Sequence, residues 1–540
     1  MLILQNISYT FPNKDLLFDN INLTLNNRDK VVLIGNNGTG KSTLLKIITG
    51  EITSFGGQLS IETAPYYIPQ LFDKYDEMTI AQALRIDEKW NALKEILAGN
   101  MTEEFLDTLN DDWTIEERCA EAMGYWQLNG LELTRKMATL SGGQKTKVFL
   151  AGISIHKPEF VLLDEPSNHL DMAGRQLLYD FIRNTPTTLL VISHDRKLLN
   201  LLDTVCELSK QEITVYGGNY DFYFEQKSME QEALSNDIKS KEKALRKAKE
   251  KERESAERQQ KLDARGKRKQ EKAGVARILM NTLKDKAENS TSKLKSVHSE
   301  KIGGISQELQ KLRSAIPDID KMKFGFDNSS LHKGKIIFNT TDINFGYGKE
   351  PLWKENLNIQ ITSGERIVIK GLNGSGKTTF VKIITGYLKP HTGTIFIAEN
   401  KSVYIDQNYS LINNNLTVYE QAEQFNASAL QEGEIKSRLN RFLFTREDWD
   451  KQCAVLSGGE RMRLMLCCLT IDNHAPDVII LDEPTNNLDI RNIEILTAAI
   501  NEYQGTLIII SHDETFQEQV GVSRAINLLS GKLCMSNNIF

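Results

Sequence analysis

The chain has 540 residues, 40% apolar and 26% charged, with a formal net charge of −6. That length holds more than one domain with its own core, and the composition is that of a soluble globular protein. No apolar run reaches the ~18 residues of a membrane span. The N-terminus, MLILQNISYTF, lacks the basic region, apolar core and cleavage site of a signal peptide, which predicts a cytoplasmic protein. The cysteines Cys119, Cys206, Cys453, Cys467, Cys468 and Cys534 form no Cys-x-x-Cys pair and read as ordinary buried thiols.

In chain order, the alternation of Leu2, Leu4 and Ile7 predicts a first strand. A second strand, Lys30–Ile34, runs into Gly35, Asn36, Asn37, Gly38, Thr39, Gly40, Lys41 and Ser42, followed by a helical run from Thr43. Strand, glycine loop and helix are the context of a P-loop. Glycines turn successive N–H groups into one concavity, and the helix start adds its positive end. Lys41 would reach the outer phosphates and the Ser42 hydroxyl a magnesium ion. Leu140, Ser141, Gly142, Gly143 and Gln144 stand before a helical stretch, again offering amides and a hydroxyl to a phosphate. The apolar run from Phe160 ends in Asp164 and Glu165, acids that suit metal and water chemistry: Asp164 to hold Mg²⁺, Glu165 to orient the attacking water. A further strand, Leu189 onward, ends at His194, expected at the γ-phosphate.

The series returns after about Ile336. Gly371, Leu372, Asn373, Gly374, Ser375, Gly376, Lys377, Thr378 and Thr379 follow a strand; Ser457, Gly458, Gly459 and Glu460 precede a helix. Asp482 and Glu483 end a third apolar run, and His512 a fourth. All motifs recur in one order, which marks a duplicated domain. In this order they resemble the nucleotide-binding domains of the ATP-binding cassette superfamily. The resemblance implies an α/β fold, ATP hydrolysis, and a P-loop of one domain closing on the signature of the other: Lys41 with Ser457, Lys377 with Ser141. It also implies that Phe11 and Tyr347 stack on adenine, that Gln70 and Gln407 sense Mg²⁺ and γ-phosphate, and that Asp171 couples the two sites. With both sets complete, two competent sites are expected. Glu460 stands where glutamine is more usual, with a modest effect expected.

The repeat offsets locate an insertion. Gln70 to Gln407 is 337 residues, whereas Ser141 to Ser457 is 316. The first domain therefore holds 21 more residues between these motifs, around Arg85 to Gly130, as a longer surface loop or a small docking subdomain.

Between the repeats, about 222 to 335, lies a stretch that occurs once, with no proline between Pro186 and Pro317. Lys239 to Lys301 holds 21 Lys and Arg against 10 Asp and Glu, a net of +11, so the rest of the chain sums to −17. A charged spacer and a probe for a polyanion such as nucleic acid both fit. Ile305, Leu309, Leu312 and Ile316 form a heptad-like seam, with Leu234, Ile238, Leu245 and Ala248 on a first limb, so a helical hairpin is expected. Its tip, about 273–285, carries Arg277, Leu279, Met280 and Lys284, either packing the hairpin on itself or contacting RNA.

Tandem cassettes (1–221 and 336–540), a basic hairpin between them and an insertion only in the first resemble the ABC-F family of ribosome-associated ATPases. The resemblance implies a monomer with an intramolecular sandwich that binds the ribosomal exit site with ATP. Its linker would reach the P-site tRNA and the large-subunit rRNA of the peptidyl-transferase centre. A long linker and a short insertion lean toward antibiotic protection over a housekeeping role on stalled ribosomes. The ATPase subunit of a separate transporter and a DNA-repair ATPase are the rival classes.

Overall fold

The structure, a computed structural model, describes residues 1–270, 296–313 and 331–528, except 13, 298, 349, 373, 428, 473–474 and 487 and the side chains of 259, 263 and 266–270. The chain divides into two units: Met1–Asp221 with Met322–Phe540, and Phe222–Lys321.

The first unit holds the same architecture twice. In the first copy, β1 (Leu2–Thr10), β2 (Leu16–Leu25), β3 (Lys30–Ile34), β4 (Gly56–Ile61), β5 (Tyr66–Ile68), β6 (Phe160–Asp164), β7 (Thr188–Ile192), β8 (Thr204–Leu208) and β9 (Ile213–Gly217) make two sheets. An antiparallel sheet runs β2-β1-β4; a six-stranded sheet runs β5-β6-β7-β3-β8-β9, parallel except at the β9 edge. Strands β6 and β7 are buried at every residue, as expected of parallel strands covered on both faces. The core between the sheets is Leu4, Ile7, Phe18, Leu33, Leu45, Leu162 and Leu190 with their neighbours.

The second copy repeats this with β10 (Ile336–Asn344), β11 (Gln360–Thr362), β12 (Arg366–Lys370), β13 (Thr392–Ile397), β14 (Ser402–Ile405), β15 (Val478–Asp482), β16 (Thr506–Ile510) and β17 (Arg524–Asn527). Its sheets run β11-β10-β13 and β14-β15-β16-β12-β17, the latter wholly parallel. In both copies the P-loop strand (β3, β12) lies beside the strand that ends in histidine. That strand lies beside the one ending in the paired acids. The strand order therefore gathers three distant motifs at the carboxyl ends of adjacent strands, where open α/β sheets bind ligands.

The added length of the first copy is helical. Helices Asp87–Leu97 and Glu103–Leu109 pack on each other, the second capped by Thr102, whose hydroxyl accepts from Phe105 N–H at 3.3 Å. The second copy passes from Val418–Gln424 to Glu432–Arg441 without such a pair.

In the second unit a single helix, Tyr220–Gln270, starts within the last residues of the first unit and runs 51 residues, about 76 Å at 1.5 Å per residue. Residues 299–313 are also helical. Less exposed positions on the long helix fall at Leu234, Ile238, Lys241, Leu245, Ala248, Glu252 and Ser255, alternating steps of four and three. This is a heptad seam whose apolar content fades along the limb. On the other limb Ile302, Ile305, Leu309 and Leu312 are the covered residues. Lys241 pairs with Glu308, and Arg313 with Glu242 at 2.6 Å. Ile316, the tip residues Arg277, Leu279, Met280 and Lys284, and Cys534 lie outside the described residues; the other five cysteines are buried thiols. Leu309→Ala should loosen the limb pairing by about 2 kcal/mol. Hydrogen exchange in 234–255 and 299–313 should then quicken while that of the cassettes stays unchanged.

Candidate active sites

Each P-loop closes at a glycine in the left-handed region, Gly40 (φ 96°) and Gly376 (φ 89°), which begins the helix Lys41–Ile48 or Lys377–Ile384. A Cβ on Gly40 would stand 2.7 Å from Leu17 Cδ2 and 2.8 Å from Phe18 Cε1; one on Gly376 would meet Leu352 and the Trp353 indole as closely. Lys41 donates to the carbonyls of Gly35 (2.7 Å) and Asn36 (3.2 Å), and Lys377 to those of Gly371 (2.8 Å) and Leu372 (3.2 Å). Burial pulls both ammonium groups below their ordinary value. Each is thus held, partly desolvated, over the loop. Asn373 lies outside the described residues.

The paired acids stand opposite. Glu165 and Glu483 both occupy left-handed backbone, φ 52° and 48°, strained for a residue with a side chain. Their N–H groups donate to the carbonyls of Ile192 (2.8 Å) and Ile510 (2.7 Å), which turns the side chains over the strand ends. Glu165 Oε2 accepts from the His194 N–H at 3.3 Å, while Oε1 is buried without a hydrogen-bond partner. His194 Nε2 lies 3.2 Å from Glu165 Oε1, and His512 Nε2 lies 3.5 Å from Glu483 Oε1. Burial pushes Glu165 up to about 8, Asp164 adding to it and Lys41 opposing. Burial likewise takes Glu483 to about 7, with Arg175 the largest opposing charge. Burial and the neighbouring Lys41 bring His194 down to about 3; burial, Lys377 and Arg175 bring His512 to about 4. Both imidazoles are therefore neutral at pH 7.

For a divalent cation the fit is with hard oxygens. Asp164 accepts hydrogen bonds from Ser42 and Tyr67, and Asp482 from Tyr404 and, at 3.3 Å, Thr378. A carboxylate beside a hydroxyl, with Gln70 or Gln407 on the same wall, is a donor set that suits magnesium held partly by phosphates.

The two cassettes meet at these sites. A cavity of about 370 Å³ is lined by Phe11, the P-loop from Asn37 to Thr43, Gln70, Asp164, Glu165 and His194, and also by Ser457 of the second cassette. The Asn37 N–H donates to Asp489 Oδ2 across the interface at 2.9 Å. The second cavity, about 490 Å³, gathers Tyr347, Gly374 to Thr379, Gln407, Asp482 and Glu483. Its described lining does not include Ser141; the first cassette acts there through the charges of Asp171 on Lys377 and of Arg175 on Glu483. Phe11 and Tyr347 are exposed at the cavity mouths, the Tyr347 hydroxyl 3.0 Å from Thr379 Oγ1.

The signatures start helices through capping boxes. Ser141 Oγ accepts from the Gln144 N–H (3.3 Å), and Gln144 Oε1 from the Ser141 N–H (3.0 Å), opening Gly142–His156. At Gly458–Ile471 the box uses Glu460, whose Oε2 accepts both the N–H (2.8 Å) and the hydroxyl (2.7 Å) of Ser457. Lys451 neutralises it at 3.1 Å, and these contacts hold the carboxyl below its ordinary value against the upward pull of burial. Gly459 lies against Asn492, where a Cβ would come within 2.1 Å of Nδ2.

Four residues at these sites were not singled out by the sequence reasoning: Arg175, Lys451, Tyr67 and Tyr404. Only the tyrosines carried a sequence signal, a shared place three residues before each glutamine.

The chain is similar to several known proteins. The family described as ABC transporter matches residues 18–168 and 354–486. The chain is 30% identical to the probable ATP-binding protein YbiT of Escherichia coli O157:H7, over 96% of this chain and 94% of that one. It is 29% identical to ABC transporter F family member 5 of Arabidopsis thaliana, over 98% and 75%. Among solved structures, the complex of archaeal ribosomal stalk protein aP1 and archaeal ribosome recycling factor aABCE1 shares the fold, with a TM-score of 0.55, 20% identity and coverage of 97% of this chain and 87% of that one, as does a model of ribosome-bound archaeal Pelota and ABCE1, with a TM-score of 0.55, 18% identity and coverage of 97% and 76%. No helix among the described residues is long and apolar enough to cross a membrane. The chain belongs to the ATP-binding cassette family, as a tandem-cassette ATP hydrolase of the ABC-F type.

Proposed function

We propose that this ATP hydrolase works in the cytoplasm on the ribosome. It binds the exit site with ATP between its cassettes and acts through its linker on the P-site tRNA and the peptidyl-transferase centre, protecting ribosomes from antibiotics. The observation that carries the reading is the linker: a 51-residue helix, Tyr220–Gln270, runs into the stretch Lys239 to Lys301 of net charge +11, while the rest of the chain sums to −17. Such segregated charge steers the linker toward phosphate-rich RNA and leaves the cassettes indifferent to it. Proteins of this fold include a ribosome recycling factor solved with a ribosomal stalk protein and ABCE1 bound to the ribosome with Pelota, which supports the choice of partner.

ATP would lie in each cavity, with Phe11 or Tyr347 on adenine, the P-loop amides and Lys41 or Lys377 on phosphate, and a signature closing from the other cassette. Magnesium, held by Ser42, Gln70 and Asp164 or by Thr378, Gln407 and Asp482, would supply charge against the phosphates. Glu165 and Glu483 would each accept a hydrogen bond from the attacking water. His194 and His512, neutral, would face the terminal phosphate from beside the glutamates. Loss of that phosphate would part the signature from the P-loop and release the protein. The tip residues Arg277, Leu279, Met280 and Lys284 would make the RNA contacts.

The test is sedimentation with 70S ribosomes. Protein carrying Glu165→Gln and Glu483→Gln should pellet with ribosomes in ATP and stay in the supernatant without it. With that result, Leu279→Ala and Met280→Ala should abolish protection from a drug of the peptidyl-transferase centre while leaving sedimentation intact. If protection is untouched but stalled ribosomes are no longer rescued, the housekeeping role is the right one. A protein that never pellets yet hydrolyses ATP has a permease or DNA partner instead.

A further inference from the structure

We propose that Tyr67 and Tyr404 are positioning residues of the two cation sites, each phenol fixing the aspartate that ends the neighbouring strand. Tyr67 stands on β5, in register with Leu162 of β6, and its hydroxyl donates to Asp164 Oδ2 at 3.4 Å. Tyr404 stands on β14, in register with Ile480 of β15, and donates to Asp482 Oδ2 at 2.7 Å. Each aspartate thus has two hydroxyl donors: the phenol, and the P-loop serine or threonine. The two donors differ in what they can do next. Ser42 and Thr378 are themselves cation ligands in the ATP reading, on which this inference rests, and must turn away from the carboxylate to serve as such. The phenol comes from another strand and keeps its bond. It therefore holds Oδ2 and leaves the remaining carboxylate positions to the cation and its waters, as partners of ligating carboxylates do.

The same strand continues into Gln70 and Gln407, three residues on. Through the phenol, movement of the glutamine toward or away from the phosphate is tied to the orientation of the aspartate. The contact occurs in both cassettes at the glutamine's repeat offset of 337. The neighbouring phenol is a built-in control: Tyr66 points the other way, donating to the Phe149 carbonyl at 3.0 Å, and the equivalent place in the repeat is Val403.

The experiment titrates Mn²⁺ into full-length protein holding ADP, followed by electron paramagnetic resonance, alongside ATP turnover against Mg²⁺ concentration. Tyr404→Phe should raise the Mn²⁺ dissociation constant about tenfold, and Tyr67→Phe, with the longer bond, by less. Turnover should recover to within about twofold at saturating Mg²⁺, with KM for the Mg²⁺–ATP complex unchanged. Tyr66→Phe should lower the melting temperature and leave the Mn²⁺ curve where it was. Mn²⁺ affinities within about twofold of wild type in both tyrosine variants overturn the proposal, whether or not stability falls. Wild-type protein that takes up no Mn²⁺ with nucleotide overturns instead the ATP–cation reading beneath it.

Discussion

Replacing Glu165 and Glu483 together by glutamine should lower ATP turnover by roughly a thousandfold while nucleotide binding persists, because a positioned base contributes on the order of 10²–10⁴. Glutamine keeps the shape and the left-handed backbone at both positions but presents a weaker acceptor to the water. Single-turnover hydrolysis by each single variant reads the sites separately, and a variant that left the rate untouched would show that its site does not hydrolyse. The same substitutions should stabilise the nucleotide-free protein, with a defined pH dependence. Both carboxyls are raised by burial, to about 8 and about 7. Below about pH 4.5 they are protonated folded and unfolded alike, so wild type and variant should melt together. As pH rises the unfolded chain gives up these protons while the native state holds them, and wild type loses that stability through its folded values. Glutamine has nothing to lose. The melting gap should therefore open from pH 5 upward and level off above pH 8, on the order of 5 kcal/mol from Glu165 alone at 1.36 kcal/mol per pH unit. A gap that stayed constant across pH would contradict burial as the cause. The burial that raises these carboxyls also excludes bulk water from the reacting one.

Gly40→Ala and Gly376→Ala should each abolish nucleotide binding in their own cavity. Two penalties combine: a left-handed residue with a side chain, at about 1–3 kcal/mol, and a methyl forced into Leu17 and Phe18 or into Leu352 and Trp353, at a similar cost. Their sum, about 2–6 kcal/mol, is a roughly thirtyfold to twenty-thousandfold loss of affinity where the loop must keep its shape to bind. Titration with a fluorescent nucleotide should show one site instead of two in each single variant and none in the double. Gly38→Ala is the informative contrast: it shares positive φ (82°) but meets nothing within 4 Å, so only the strain applies and the loss should be smaller. Equal losses at Gly38 and Gly40 would exclude the side-chain clash.

The two sites are not copies of each other. Arg175 brings a cation from the first cassette to Glu483 and His512, whereas the corresponding position in the second cassette, 318 residues on, is Ile493. Ser457 gives its hydroxyl proton to Glu460, whereas Ser141 is capped by an amide. Lys451 lies against Glu460 and offsets its charge. Nothing in the motif itself foretells that lysine, nine residues upstream.

By itself the sequence determined the motifs, their duplication, the cassette fold and the charge of the linker. Phosphate chemistry demands contiguous glycines and a lysine, and buried strands ending in acids are visible as runs, so these features are local and survive without coordinates. The offsets located the insertion; that it contains a packed pair of helices, Asp87–Leu97 and Glu103–Leu109, depended on packing. Tertiary structure alone decided what crosses between elements: Ser457 lining the cavity of Lys41, Asp489 on the Asn37 amide, Arg175 beside Glu483, and the tyrosine hydroxyls on Asp164 and Asp482. These contacts join residues from 78 to 452 positions apart. They follow from strand order and cassette docking, set by the burial of whole faces, which no short run of residues encodes.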